Sequence, residues 1–185
     1  MSGRRSTKQK ARETFSPPDQ QMPGEAALPA VAALTAESAR TGQRTAKLAA
    51  EILVDLDEGF VIPTAKQRAA ILVAYARAQR VVYGKAFDIV KCPEHVDLND
   101  ADSILRNLNE VVVLEIKSTN KKSVKPDFRG YFFAITAAEL LVAQNLGERY
   151  RFIFVNTITR KHLELTLREI FARSRGIYPT WSISF

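Results

Sequence analysis

The 185-residue sequence has one cysteine and two histidines, and no run in it approaches 18 apolar residues. A lone Cys92 excludes an internal disulfide and any cysteine cage for zinc, which fits a reducing, cytoplasmic setting. The short apolar runs leave no segment able to span a membrane as a helix. The basic start MSGRRSTKQKARE has no apolar stretch behind it, so it does not read as a secretory signal. His95 and His162 lie far apart with no useful spacing, so neither is expected to hold a metal or act as a nucleophile. No internal repeat is present. What the chain does have is apolar surface, 46% of its residues with ten Phe among them, enough for a real core and too much for a wholly disordered chain.

Lys and Arg number 27 against 20 Asp and Glu, a formal charge of +7. That excess is suited to polyanions, yet net charge alone speaks to association rather than to fold. Its placement says more. Residues 117–129 carry five cations against Asp127 alone, and residues 149–175 carry seven against Glu164 and Glu169.

Residues 1–40 read as a flexible basic tail, broken by Pro17, Pro18 and Pro23. Residues 41–185 read as one domain: helices over 45–83, an α/β core over 84–157, and a helix and strand over 158–185. In the first helix Leu48, Ile52, Leu53 and Leu56 recur at helical spacing, with Gly59 as the stop. A second follows Pro63-Thr64, with Ile71, Leu72, Tyr75 and Val82 inward, Lys66, Arg68, Arg77 and Arg80 outward, and Gly84 closing it. A strand over 86–90 carries Asp88, and a short helix starts near Asp100. The run Val111–Leu114 reads as a strand buried on both faces, continuing into Glu115-Ile116-Lys117. Further strands are expected at Tyr131–Ile135 and Phe152–Val155, and helices over 137–147 and 161–174. Thr136 and Glu139 form a capping box for the first of these helices. Residues 177–185 look extended, and Tyr178, Trp181 and Phe185 are expected to dock on the core rather than stack on bases.

Glu115 and Lys117 are two apart on a strand, so both leave the same face while Ile116 leaves the other. Two charges at the end of a buried run are costly unless they pair or bind something. The simple reading is a surface ion pair. Against it stand Asp88, in its own short strand, and the cations that follow. Converging carboxylates make an oxygen-rich site suited to Mg²⁺, and such an ion polarises a phosphodiester and activates water. Lys117 would orient that water or stabilise charge on the phosphorus, and Lys121, Lys122, Lys125 and Arg129 would hold a phosphate backbone. Asp102 is the alternative second carboxylate, Asp88 being preferred because it lies in a strand. Ser118-Thr119-Asn120 reads equally as a phosphate contact or a plain strand exit. Glu139 is explained by the cap, and roles for Gln144, Glu51 and Glu58 are weaker than solvated helix faces.

In this order Phe87-Asp88-Ile89, Glu115–Thr119, Thr136–Leu140 and Leu146–Tyr150 resemble the PD-(D/E)xK restriction-endonuclease-like superfamily. Within it they are most similar to the C-terminal domain named after the NO VEIN protein. The resemblance covers about residues 84–157. It implies a mixed central sheet flanked by helices and Mg²⁺-dependent hydrolysis of DNA, as in a small type II restriction enzyme or a related defence nuclease. It further implies Asp88, Glu115 and the Ile116 carbonyl as metal ligands and Lys117 as the catalytic lysine. Cutting both strands of DNA would favour a homodimer. A non-catalytic DNA-binding or assembly module on the same fold is the alternative.

Overall fold

The computed structural model describes residues 45–177, all within one compact unit. The basic tail 1–40 and the closing aromatics Tyr178, Trp181 and Phe185 lie outside the described residues. Helix α1, over residues 45–54, lays Ala49, Ile52 and Leu53 on the sheet. Its alanines permit that close approach, and Leu48, expected inward, falls outside the stripe and is exposed. Gly59 is not the helix stop. It opens strand β1 (Phe60–Val61) at φ 79°, where an added Cβ would stand 2.8 Å from the Cys92 carbonyl oxygen. Glycine is needed there for β1 to approach its neighbour.

Helix α2 spans Ala65–Arg77, opened by a Thr64/Gln67 capping box. It stops well before Gly84, because Gln79 turns left-handed at φ 57° and Arg80 N–H closes onto the Tyr75 carbonyl, a common way to satisfy the last carbonyls of a helix. Ile71 and Tyr75 are buried as expected, Leu72 only half so, and Val82 packs on the core from beyond the helix. Strand β2 is Ile89–Lys91 rather than 86–90, so Asp88, expected within it, instead precedes it. Helix α3 (Ala101–Arg106) is capped by the Asp100 carboxylate. Strand β3 (Val112–Thr119) carries Glu115 and Lys117. Helix α4 (Ala137–Leu146) starts on the Thr136/Glu139 box and ends at Gly147, φ 57°. After a 3₁₀ turn at Gly147–Arg149 come β4 (Tyr150–Asn156), β5 (Lys161–Leu165) and helix α5 (Leu167–Arg173).

The five strands form one mixed sheet in chain order. Strands β3 and β4 are parallel, joined through α4, and every other neighbouring pair is antiparallel. Alternation along the strands divides the core into two layers. Leu114, Ile116, Ile153 and Val155 meet α1 on one face. Val113, Phe152 and Phe154 meet residues of α2, α4 and α5 on the other.

Two expected elements differ. Tyr131–Ile135 is not a strand. Its alternating apolar residues do pack inward, Tyr131 and Phe133 on Phe154, but they lie over the face of the sheet, because β4 already occupies the place beside β3. Residues 161–174 are not one helix. Lys161–Leu165 pairs with β4 as an edge strand, and only after a new Thr166/Glu169 capping box does α5 begin. The alternation of Leu163 and Leu165 was the relevant period.

Candidate active site

The period of two along β3 sends Val113, Glu115 and Lys117 to the α4 side, with Glu115 aligned to Phe152 and Lys117 to Phe154 of β4. Aromatic rings therefore wall the two charges. The Lys117 Nζ lies 3.1 Å from Glu115 Oε1 and 2.8 Å from Glu139 Oε2, and all three side chains are largely buried. It also stands 5.9 Å from the centre of the Phe152 ring. Glu139 comes from the first turn of α4, where the same Oε2 accepts the Thr136 N–H at 3.1 Å. The capping carboxylate is thus also the second partner of Lys117, a role its sequence context did not reveal.

Asp88 reaches β3 twice. Its N–H donates to the Leu114 carbonyl at 2.9 Å, and its Oδ2 accepts the Ile116 N–H at 3.0 Å. A side chain here satisfies a backbone donor that the short β2 leaves without a main-chain partner. The N–H and C=O of one strand residue point to the same side, so the Ile116 carbonyl is directed toward Asp88 rather than toward β4. Asp88, Glu115, Ile116 and Lys117 are brought together. Asp102 is not: it lies exposed on α3, 2.6 Å from Arg77 Nη1.

Two supports of Asp88 escape a sequence reading. Arg68, expected outward, turns in from α2 and donates to the carbonyls of Gly84 (2.8 Å), Phe87 (2.7 Å) and Asp88 (3.3 Å). Its guanidinium sits 4.3 Å from the centre of the Phe87 ring. Tyr150, buried at the start of β4, donates its hydroxyl to the Ala86 carbonyl. A basic residue on a charged helix and a tyrosine in an apolar strand carry no local sign of such tasks.

The electrostatics are lopsided. Three carboxylates face two cations: Lys117 pairs with Glu115 and Glu139, and Asp88 interacts with the Arg68 guanidinium. Burial first, then the neighbouring Asp88, pushes the Glu115 carboxyl up to about 8, with Glu139 adding to the rise and Lys117 opposing it. Burial and the same three carboxylates raise the Tyr150 phenol, which stays neutral. Excess negative charge in a half-dry site calls for a proton or a cation. Among the described residues no group of three or more His, Cys, Asp or Glu stands arranged to hold a metal. Mg²⁺ needs less, one or two carboxylates with water completing its shell. Asp88, with Oδ1 free of hydrogen bonds among the described residues, and Glu115 fit that requirement, with the Ile116 carbonyl on the same side.

The loop after β3 exposes Lys121, Lys122, Lys125 and Arg129. The three lysines have no carboxylate partner among the described residues, and Arg129 lies 3.7 Å from Asp127. Ser118 and Thr119 serve the fold: the Ser118 carbonyl accepts the Tyr131 hydroxyl, and the Thr119 carbonyl accepts the Thr157 N–H. Gln144 and Glu51 are exposed, Glu58 lies near Lys91, and His95 and His162 contact Glu110 and Phe60. A groove of about 1110 Å³ opens elsewhere, beside Gly59, Lys91, His95 and Arg151. Its two cations are held by Glu164, and none of the clustered site residues lines it. No family model, curated protein or solved structure matches the chain. No helix among the described residues is long and apolar enough to cross a membrane.

Proposed function

We propose that this protein is a Mg²⁺-dependent deoxyribonuclease with a restriction-endonuclease-like fold. The single observation that carries the reading is the half-buried Asp88–Glu115–Lys117 cluster, over-supplied with carboxylate, on a strand that leads into a loop whose lysines have no carboxylate partner among the described residues. Asp88, Glu115 and the Ile116 carbonyl would hold the ion, which supplies Lewis-acid polarisation of a phosphodiester and a more acidic water. The residues of the chain do the rest. Glu115 and Glu139 fix the Lys117 ammonium in direction. Lys117 then donates to an oxygen that gains charge as phosphorus becomes five-coordinate, an interaction strongest in the transition state. Lys121, Lys122, Lys125 and Arg129 seat the flanking phosphates. Two copies about a two-fold axis would address both strands of a duplex.

One observation favours the alternative, a DNA-binding or assembly module without catalysis: Lys117 already has two carboxylate partners, so the cluster is stable as a charge network. Calorimetric titration with Mg²⁺ separates the two. The nuclease reading expects a binding isotherm in the wild type, lost in Asp88→Asn and in Glu115→Gln. A wild type that takes up no Mg²⁺ while still binding DNA would favour the module.

A further inference from the structure

Phe132 is 80% exposed, the most exposed large apolar side chain among the described residues. Its neighbours are the opposite. Tyr131 and Phe133 stack on each other at 6.0 Å and pack edge-on to Phe154, at 6.3 and 4.8 Å between ring centres. Buried Phe128 joins them, 5.7 Å from Phe154 and 6.1 Å from Tyr131. The Tyr131 hydroxyl is further tied to the Ser118 carbonyl at 2.7 Å. The loop is also pinned at its start, where Asn156 Nδ2 donates to the Lys121 carbonyl at 3.0 Å. Phe132 is therefore no casual surface residue on a loose loop. An alternating segment clamped by two inward rings aims the ring between them outward.

What lies around it gives the occupant. Phe154, on which the clamp rests, is aligned with Lys117, so Phe132 is mounted over the face of the sheet that carries the acidic cluster. The same loop exposes Lys121, Lys122, Lys125 and Arg129. An exposed aromatic ring among cations suits a polyanion that also offers flat apolar faces, which describes a nucleic acid whose bases are accessible. A base within an intact duplex stack offers no such face, whereas single strands, flaps and flipped bases do.

We propose that Phe132 is a stacking platform for an unstacked base of a strand held by the loop cations, and that the ligand is DNA with a single-stranded or locally opened segment. This rests on the nuclease reading for its substrate but not on cleavage itself, so it is tested without metal. Full-length protein in EDTA is titrated against a single-stranded oligonucleotide carrying 2-aminopurine and against its duplex, reading anisotropy and 2-aminopurine emission. Wild type should favour the single strand and quench the probe. Phe132→Ala should bind the single strand about tenfold more weakly, without quenching and with an unchanged salt slope. Phe132→Trp should restore both. Lys125→Ala should instead lower the salt slope by about one while leaving the quench intact. Equal binding and quenching by wild type and Phe132→Ala, or no binding at low salt, would overturn the proposal. Phe132-dependent quenching in a protein that cuts nothing with Mg²⁺ would leave it standing and sink the nuclease reading. Cleavage of DNA with no effect of Phe132→Ala would do the reverse.

Discussion

Glu115 bears most of the strain of the site, because its carboxyl is buried beside two others and has Lys117 alone to relieve it. The pH consequence has a definite sign. An ordinary glutamate loses its proton near 4.5, whereas the folded chain holds this one to about 8. Between those values the folded state carries the extra proton, so stability contributed at this position falls as pH rises and levels off above 8. Glu115→Gln removes the slope. It is expected to match wild type near pH 5 and to exceed it by roughly 1 to 3 kcal/mol at pH 8 to 9, the lost attraction to Lys117 tempering the gain. Denaturant melts of both proteins across that range check this, and a Glu115→Gln no more stable than wild type at pH 9 would contradict it. The same variant is expected to lose cleavage, a trade of stability for function. Arg68 is the other decisive residue. Arg68→Ala leaves three carbonyls without their charged donor and is expected to lower stability by about 2 to 4 kcal/mol. It should also weaken Mg²⁺ uptake through Asp88, with Arg68→Lys recovering part of both.

At the scale of elements, α4 has two jobs that its first turn performs together. Thr136 and Glu139 cap the helix, and Glu139 also holds Lys117. Substitutions separate the jobs. Thr136→Ala should cost about 1 kcal/mol of stability and leave the pH profile of cleavage in place. Glu139→Gln keeps a capping side chain but removes a charge beside Lys117, so stability should change little while the pH profile shifts. Stability curves and pH–rate profiles of the two variants provide the check. The box itself was legible in the sequence because capping depends on residues only three apart, and β3 was legible because a β-branched run is local as well. The segment 131–135 misled because alternation reports which side chains face the core, not whether the backbone finds a strand to pair with. Residues 161–165 misled because a helical register could be fitted across Thr166, whose cap in fact starts a new element. In the site, the approach of Asp88 to Ile116 and of Glu139 to Lys117 depends on contacts between elements far apart in the chain. Periodicity does not encode those contacts.

Across the whole molecule, charge is sorted rather than spread. The carboxylates of Asp88, Glu115 and Glu139 gather around β3, and the lysines without a carboxylate partner among the described residues lie on the exposed loop that follows it. In the proposed function the +7 charge gains a meaning: the cations would attract a polyanion, and the half-buried acids would take a divalent ion that the polyanion itself would help retain. Removing Lys121, Lys122 and Lys125 together should weaken DNA binding sharply and flatten its salt dependence by roughly three counterions, with folding untouched because the three are exposed. Anisotropy titrations at several salt concentrations test this. The central claim is catalytic, and the most direct measurement is cleavage of a plasmid carrying a single-stranded bubble, with Mg²⁺ or with EDTA. Wild type is expected to nick or linearise it only with Mg²⁺, and Lys117→Ala to be slower by at least about a hundredfold. Cleavage that persists undiminished in both Lys117→Ala and Glu115→Ala, or a wild type that cuts nothing with any divalent ion, would contradict the account.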